Sequence, residues 1–180
     1  MYEVTTLRAD LTALFAAAEL TDVEVDAAIA DEHVRSAAYR RVIAADSTDP
    51  RELAAVLARD PEPLTAKTAM VNLLDHIAEK TADPAKFQQQ AADIVTEADR
   101  LAASTDRDFV RQRIRDWQLW LDTENGQPPD AAALSAASDW MQRRLADFSA
   151  SPQTLALLAG HARTKKTRHT AATKTNPRNP

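Results

Sequence analysis

The side chains best suited to chemistry lie near the C-terminus, where cations are concentrated in a segment without acids. From His161 to Pro180 the sequence contains no Asp or Glu, and its Lys and Arg residues give a charge of +6. These residues are Arg163, Lys165, Lys166, Arg168, Lys174 and Arg178. Cations at this density neutralise phosphates and give a salt-sensitive, sequence-independent affinity for DNA or RNA. The segment is therefore the first candidate for a binding site.

Residues 155–174 resemble a degenerate helix-turn-helix, in which Gly160 would mark the turn before a second helix that enters the major groove. Lys165, Lys166 and Arg168 would then face phosphates or base edges. The apolar anchors of a recognition helix are weak, because His161 and Lys166 occupy the expected positions and only alanines follow. We therefore favour an ordinary last helix followed by a solvated basic tail. That tail also has no aromatic side chain on which a base could stack.

A second group of candidate interaction residues lies on the sixth predicted helix. Arg107, Arg111 and Arg115 recur every four residues and form one stripe, and Trp120 lies off the apolar face. Arg and Trp are favoured at protein interfaces. In the alternative interpretation, which we favour, the arginines form weak local ion pairs with acids of the same helix. Trp120 would then pack beneath the loop at 128–129.

The other chemistry-bearing residues form no catalytic, metal-binding or cofactor-binding set. The four histidines are scattered, and His76, near Asp75 and Glu79, has no second histidine at helical spacing to complete a metal site. There is no cysteine, and 2 glycines are too few for a glycine-rich phosphate loop. We therefore expect a protein without enzymatic activity, metal or cofactor. A polar pocket assembled around His33 or His76 would contradict this expectation.

The net charge of −5 combines two unlike parts of the chain. Residues 1–160 carry 16 basic and 27 acidic side chains, a charge of −11, against +6 for residues 161–180. Hydrophobic residues also become scarce after Gly160, and a chain of this length fits one domain. We therefore predict a single acidic domain over residues 1–160 and a basic, flexible tail over residues 161–180.

The sequence carries no recognisable targeting or membrane segment. The N-terminus lacks a basic segment followed by an apolar run, and no stretch approaches 18 uninterrupted apolar residues. We therefore expect a cytoplasmic protein with no membrane contact. The 37 alanines, with more Asp than Glu and more Arg than Lys, are typical of a high-GC bacterial genome.

Capping signals and apolar periodicity divide the chain into helices. Thr21 with Glu24 forms a predicted capping box, and Asp-Pro or Ser-Pro pairs at 49–50, 83–84 and 151–152 start further helices. The seventh predicted helix has Phe148 on its apolar face. No window shows the alternation of a strand. The sequence therefore predicts an all-α fold of about eight helices arranged as antiparallel pairs.

One pair of predicted helices resembles a HEAT-type helical repeat. Leu57-Ala58-Arg59-Asp60-Pro61-Glu62-Pro63, followed by Ala69 and Leu73, matches the turn and second helix of such a repeat. The family's valine and arginine after the turn are replaced by Thr65 and Ala66. The resemblance implies a HEAT-like short α-solenoid, with an irregular helical bundle as the alternative. Residues 138–174 look similar to a segment in actinobacterial helical proteins of unknown activity.

These patterns favour a non-enzymatic protein–protein interaction or scaffold protein. The helical pairs would present a surface to another protein, whose identity the sequence leaves open, and the basic C-terminal arm would help to dock an acidic partner. The alternative is a nucleic-acid-binding protein that contacts DNA or RNA through residues 155–174.

Overall fold

The computed structural model describes residues 4–175, and within that range every regular element is an α-helix. The helices are α1 Val4–Ala17, α2 Val25–Ala30, α3 Glu32–Ala45, α4 Pro50–Leu57, α5 Pro63–Lys80, α6 Pro84–Ala98, α7 Ser104–Glu124, α8 Ala131–Ala136, α9 Asp139–Phe148, α10 Pro152–His161 and α11 Lys165–Thr175. The all-α prediction is thereby confirmed. No helix within residues 4–175 combines the length and apolar character needed to span a membrane.

The described part of the chain has eleven helices rather than about eight, for three local reasons. Asp31 is extended and its side chain caps α3 by accepting a hydrogen bond from the backbone N–H of His33 at 2.7 Å, so the second predicted helix is split. Ser138 is also extended, and its hydroxyl caps α9 by accepting from Met141 N, which splits the seventh. The third addition is α11, which lies inside the predicted tail.

The predicted capping box at Thr21 and Glu24 is wrong. Helix α2 begins only at Val25, and Glu24 occupies its N-cap position without a side-chain hydrogen bond to the helix. Asp22, between these two residues, instead accepts two hydrogen bonds from Arg41 on α3, at 2.7 and 2.9 Å. This hydrogen bonding lowers the pKa of Asp22. Residues 21–24 are therefore a turn and not the start of a helix.

Contacts within the chain group its residues into two units. The first comprises Met1–Lys80 and Gln88–Arg111, and the second comprises Thr81–Phe87 and Gln112–Pro180. In the first unit, α5 packs on α3 and α4, while α1 and α2 pack on each other and on α3. The largest fully buried side chains of these five helices are Leu11, Tyr39, Leu57, Met70 and Leu74.

A buried ion pair fixes the turn between α4 and α5 in the first unit. The guanidinium of Arg35 donates to both carboxylate oxygens of Asp60, at 2.6 and 3.1 Å, and Tyr39 donates its hydroxyl to the same carboxylate at 2.8 Å. The Arg35 and Asp60 side chains are only 4% and 0% exposed. Burial disfavours the charged guanidinium, but the hydrogen bond and charge of Asp60 outweigh it and raise the pKa of Arg35. Asp60 also accepts from the N–H of Glu62, which ties the turn to α3.

The second unit contains α8 to α11 together with the C-terminal part of α7. Helix α9 contacts both α10 and α11, α10 contacts α8, and the closest packing is between α10 and α11. Its largest fully buried side chains are Phe87, Trp117, Leu134, Met141, Leu145 and Leu158.

The described part of the predicted tail is helical. The predicted boundary at residue 160 falls inside α10, where Gly160 is an ordinary helical residue rather than the expected left-handed C′ glycine. Residues 165–175 form α11, whereas the sequence prediction made them flexible. The predicted cation Arg178 lies outside the described residues. The charge and low hydrophobicity of this segment predicted a flexible tail. Neither property indicates that a helix can pack through small side chains.

Candidate functional site

The basic segment enters the fold as the second of two helices joined by a short turn. Helix α10 ends at His161, three residues follow, and α11 begins at Lys165. Gln142 on α9 holds this turn: its amide oxygen accepts from the N–H of Arg163 at 2.8 Å, and its amide nitrogen donates to the carbonyl of Leu134 at 2.8 Å. Because Gln142 is buried and makes both bonds, the turn is fixed to α9 and to α8.

Helix α11 is anchored by small side chains. Thr164 caps it by accepting from the N–H of Thr167 at 3.1 Å, and the two threonine hydroxyls lie 2.8 Å apart. Thr167 and Ala171 of α11 are buried, as is Ala162 in the turn before it. None of them is the large apolar anchor that a recognition helix usually has. Small residues take their place because they let the backbones of α10 and α11 approach closely.

The outer side of α11 carries basic and neutral residues. Lys165, His169 and Thr173 are exposed at four-residue spacing, and Lys166 is exposed beside them. The helix contains no acid, and two lysines stand in its first turn. That placement opposes the helix dipole, which is stabilised by anions at its N-terminus. An anionic ligand at this surface would remove the conflict.

Two of the predicted candidates, Arg163 and Arg168, support the turn. Arg163 pairs with Asp139 at 2.5 Å and donates to the carbonyls of Ser135 and Ala137 at 3.0 and 2.9 Å. Arg168 donates to the carbonyl of Ala162, near the C-terminal end of α10. These arginines hold α8, α9 and α10 together at the turn, which leaves Lys165 and Lys166 as the candidates that face solvent.

The three arginines of the predicted stripe lie along α7, and each makes a hydrogen bond or ion pair with a nearby group. Arg107 and Arg111 belong to the first unit and Arg115 belongs to the second. Arg107 donates to the carbonyls of Leu101 and Ala102, and Arg111 pairs with Asp99 at 2.6 Å. Arg115 donates to the side-chain oxygen of Gln112 at 2.6 Å. Each arginine therefore has a partner in its own unit, as the local interpretation proposed, although the partners are mainly groups other than the predicted acids.

Trp120, the remaining predicted candidate, belongs to a set of stacked arginines and aromatic rings in the second unit, here termed the arginine–aromatic cluster. Its members are Arg113, Trp117, Trp120, Trp140 and Arg144. The guanidinium carbon of Arg144 lies 4.4 Å from the ring centroid of Trp117 and 4.9 Å from that of Trp120. Arg113 stacks on Trp140 at 3.7 Å. Cation–π contacts of this kind keep the rings rigid and hold positive charge beside them.

A groove with a volume of about 390 Å³ lies between α9 and α11. Trp140, Arg143, Arg144, Phe148, Lys166 and Thr170 are among its lining residues. Phe148 is 69% exposed, so its predicted place on the apolar face of the seventh helix is wrong. It is the last residue of α9, and the chain turns into extended backbone at Ser149. The helical period is correct, but the helix ends there and nothing in the described second unit covers the ring.

The sequence analysis missed Trp140, Arg143 and Phe148 as candidate site residues. A signal for them was present, because Trp140, Arg144 and Phe148 recur every four residues and so share one side of α9. Their nearness to Lys166 depends on the packing of α11 against α9, which no local pattern reveals.

The histidine with acidic neighbours, His76, lies beside a surface ion pair between Asp46 and Lys80. The carboxylate of Asp46 accepts from Lys80 at 2.8 Å and lies 3.4 Å from Nε2 of His76. The hydrogen bond from Lys80 is the main reason that the pKa of Asp46 is lowered. Across residues 4–175, no group of three or more His, Asp or Glu side chains is arranged to hold a metal ion.

Comparisons with protein-family models, with curated proteins and with solved structures give no significant match.

Proposed function

We propose that this chain is a non-enzymatic, cytoplasmic nucleic-acid-binding protein that contacts DNA or RNA through α10 and α11, within residues 155–174. The observation that carries the proposal is the exposed, acid-free side of α11, with Lys165 and Lys166 at its start. The anions that a nucleic acid presents to such a surface are its phosphates. Contacts between Lys and phosphates supply most of the non-specific affinity for nucleic acids.

The distribution of charge between the two units supports this choice of surface. The first unit carries 11 basic and 20 acidic side chains, a charge of −9, whereas the second carries 11 basic and 7 acidic side chains, a charge of +4. A polyanion is repelled by the first unit and attracted to the second. Binding should therefore concentrate on the second unit, at α11.

The geometry of α10 and α11 fits a degenerate helix-turn-helix. Helices of 10 and 11 residues are joined by a three-residue turn, and the second helix is the basic one. A single α-helix fits the major groove of DNA. In that arrangement Lys165, His169 and Thr173 would face base edges, while Lys166 would contact a phosphate.

The proposal is tested by measuring the binding of a labelled oligonucleotide by fluorescence anisotropy between 50 and 200 mM salt. Lys165→Gln with Lys166→Gln should weaken binding roughly 10- to 100-fold at 0.1 M salt and reduce the salt slope of log K by about 1, because Lys166 is the phosphate contact and each such contact contributes about 0.9 to that slope. The matched control is Arg40→Gln with Arg51→Gln, which removes two exposed charges from the first unit. Binding that is absent at 50 mM salt, or equally weakened by both double variants, would overturn the proposal.

A protein–protein interaction or scaffold function of helical-repeat type is the second candidate, and it concerns the first unit. Leu64 on α5 is 62% exposed. One turn further along, the ammonium of Lys67 lies 5.7 Å from the ring centroid of Phe109, which is also exposed. Exposed apolar side chains with a charged rim favour contact with another protein. The same helix follows the turn at Asp60 that carries the HEAT resemblance.

Affinity capture from a native lysate tests this second candidate. The wild-type chain should retain a partner in stoichiometric amount, and Leu64→Asp should lose it. Ala44→Asp, which places the same charge at another exposed position of the first unit, should retain it. Recovery of the free chain alone across several salt conditions would contradict the interaction function.

A further inference from the structure

We infer that the groove between α9 and α11 binds an unpaired nucleotide, with the base stacked on Phe148 and the phosphate held near Lys166 and Arg143. This inference rests on the proposed nucleic-acid-binding function and gives it a ligand preference, for strands that have unpaired bases over closed duplex.

Phe148 is the aromatic surface that the groove offers to a base. The other large ring of the groove, Trp140, is covered on one face by Arg113 at 3.7 Å and has the Trp117 ring edge-on with centroids 5.5 Å apart. The Phe148 ring is 69% exposed, and the guanidinium of Arg144 lies 5.9 Å from its centroid. A base stacked on Phe148 would cover an apolar ring that is now in water, as aromatic platforms do in proteins that bind single strands.

The cations of the groove provide the place for a phosphate. Arg143, Arg144 and Lys166 line it, against one acid, Asp147, and Thr170 adds a hydroxyl group. Arg143 comes from α9 and Lys166 from α11, so positive charge stands on both walls. An aromatic surface and a phosphate site in one concavity match the two parts of a nucleotide.

A paired base in a closed duplex cannot use this platform. Both of its faces are already covered by neighbouring bases, so a side chain reaches only its edges in the grooves. An unpaired base can expose one of its faces without first being separated from a partner strand. The groove therefore binds only strands with unpaired bases, whereas the outer side of α11 can contact both single strands and duplex.

The test compares a twelve-nucleotide dT strand with a blunt duplex of sixteen base pairs, using full-length protein at 0.1 M salt. Phe148→Ala should weaken binding of the dT strand roughly 5- to 100-fold, which corresponds to the loss of one base–aromatic stack. Its salt slope should stay unchanged because no cation is removed, and duplex affinity should stay within about twofold. Phe148→Trp should restore binding, which a merely structural loss would not allow. The control Val4→Ala truncates an exposed apolar side chain of the first unit and should have no effect on either probe.

Two soluble competitors identify the chemistry that is recognised. Thymidine monophosphate should displace the dT strand at millimolar concentration if a free nucleotide suffices. If it fails while Phe148→Ala still weakens strand binding, the ligand is a nucleotide within a strand, which also supports the inference. Inorganic phosphate competing as well as thymidine monophosphate would overturn it, because the base would then contribute nothing.

The failure of this inference can be told apart from the failure of the proposed function. If neither oligonucleotide binds at 50 mM salt, the proposed function fails and the groove has no nucleic-acid ligand. If both bind, and Phe148→Ala changes both equally or neither, the nucleotide groove is wrong while binding through α11 stands.

Discussion

Arginine and lysine do opposite things in the two units of this chain. In the first unit the most buried cation, Arg35, is enclosed with Asp60 and Tyr39 and fixes a turn. In the second unit Lys165 and Lys166 are exposed on a helix without acids, at the helix end where a cation is least stable. A charge that satisfies the fold is buried with its partner. A charge that remains exposed in an unfavourable place is the better indication of a ligand.

The largest expected effect comes from breaking the buried pair of the first unit. Asp60→Asn keeps the shape of the side chain but leaves the guanidinium of Arg35 buried without its counter-charge. Removing one partner of such a pair costs about 3–5 kcal/mol, and for a chain of this size each kcal/mol corresponds to about 2–4 °C in Tm. Thermal and urea denaturation measure both quantities.

The control for this change is Asp22→Asn, which removes the exposed partner of Arg41. The Asp22 side chain is 67% exposed, so solvent screens its pair with Arg41, and the loss of stability should be much smaller than that of Asp60→Asn. Equal losses of stability in the two variants would mean that burial is not what distinguishes the Arg35–Asp60 pair.

The next largest effect concerns the second unit and the fixing of its turn. Gln142→Ala removes the acceptor of the Arg163 N–H and one of the two donors to the buried Leu134 carbonyl, which keeps a hydrogen bond of 3.3 Å from the Ala137 N–H. A backbone group that stays buried without a hydrogen bond costs about 1–3 kcal/mol, and the part-buried Arg163 N–H is the group that would carry this cost. Amide hydrogen exchange in α11 should accelerate while exchange in α5 stays unchanged. Gln153→Ala, an exposed position on α10, is the control.

Faster exchange in both helices, or in neither, would show that Gln142 does not hold α11 in particular. Nucleic-acid binding should weaken together with α11 in this variant, since the exposed lysines need a fixed helix.

Local signals predicted those elements that local contacts create. Asp49 caps α4 by accepting from the N–H groups of Arg51 and Glu52, and Ser151 caps α10 by accepting from Thr154, as the sequence predicted. Each of these contacts lies within three residues. The start of a capped helix can be predicted from the sequence because the donor and the acceptor of the capping hydrogen bond lie within the same few residues.

The basic helix was predicted only by the helix-turn-helix alternative, and the favoured prediction of a flexible tail missed it because the contacts that hold the helix are distant in sequence. The hydrogen bond from Arg163 to Gln142 spans 21 residues, and that from Lys174 to the carbonyl of Asp147 spans 27. The segment itself contributes only Ala and Thr to the core. The composition of the segment therefore indicates its charge but not its packing. The distant contacts that hold α11 also create the groove beside Phe148. The candidate cations were predictable, whereas the nearness of the Phe148 ring to Lys166 was not.

A pH experiment separates buried from exposed charge within the first unit. The pKa of Asp46 is lowered, chiefly by its hydrogen bond from Lys80, so its contribution to stability is present above the unfolded pKa of about 4 and is lost as pH falls through the lower folded pKa. The Asp46 side chain is 54% exposed, and solvent screening keeps this contribution below about 1 kcal/mol.

Asp46→Asn should therefore cost little at pH 7, and this small difference from the wild type should shrink as pH falls below the unfolded pKa and vanish below the lowered folded pKa. Urea denaturation at a series of pH values measures it. A loss at pH 7 as large as that of Asp60→Asn would remove the distinction between the two acids.

The smallest expected change in stability tests the second side of the comparison. Lys165→Gln with Lys166→Gln removes two cations from the positive end of the α11 dipole, so it should raise stability by a few tenths of a kcal/mol per residue, or about 1–2 °C in Tm. The same variant should weaken nucleic-acid binding roughly 10- to 100-fold at 0.1 M salt. If the two lysines served the fold, their removal would lower stability, as breaking the Arg35–Asp60 pair does. A higher Tm together with a lower affinity for nucleic acid is therefore expected if the exposed lysines serve a ligand. A lower Tm would mean that they stabilise the fold instead.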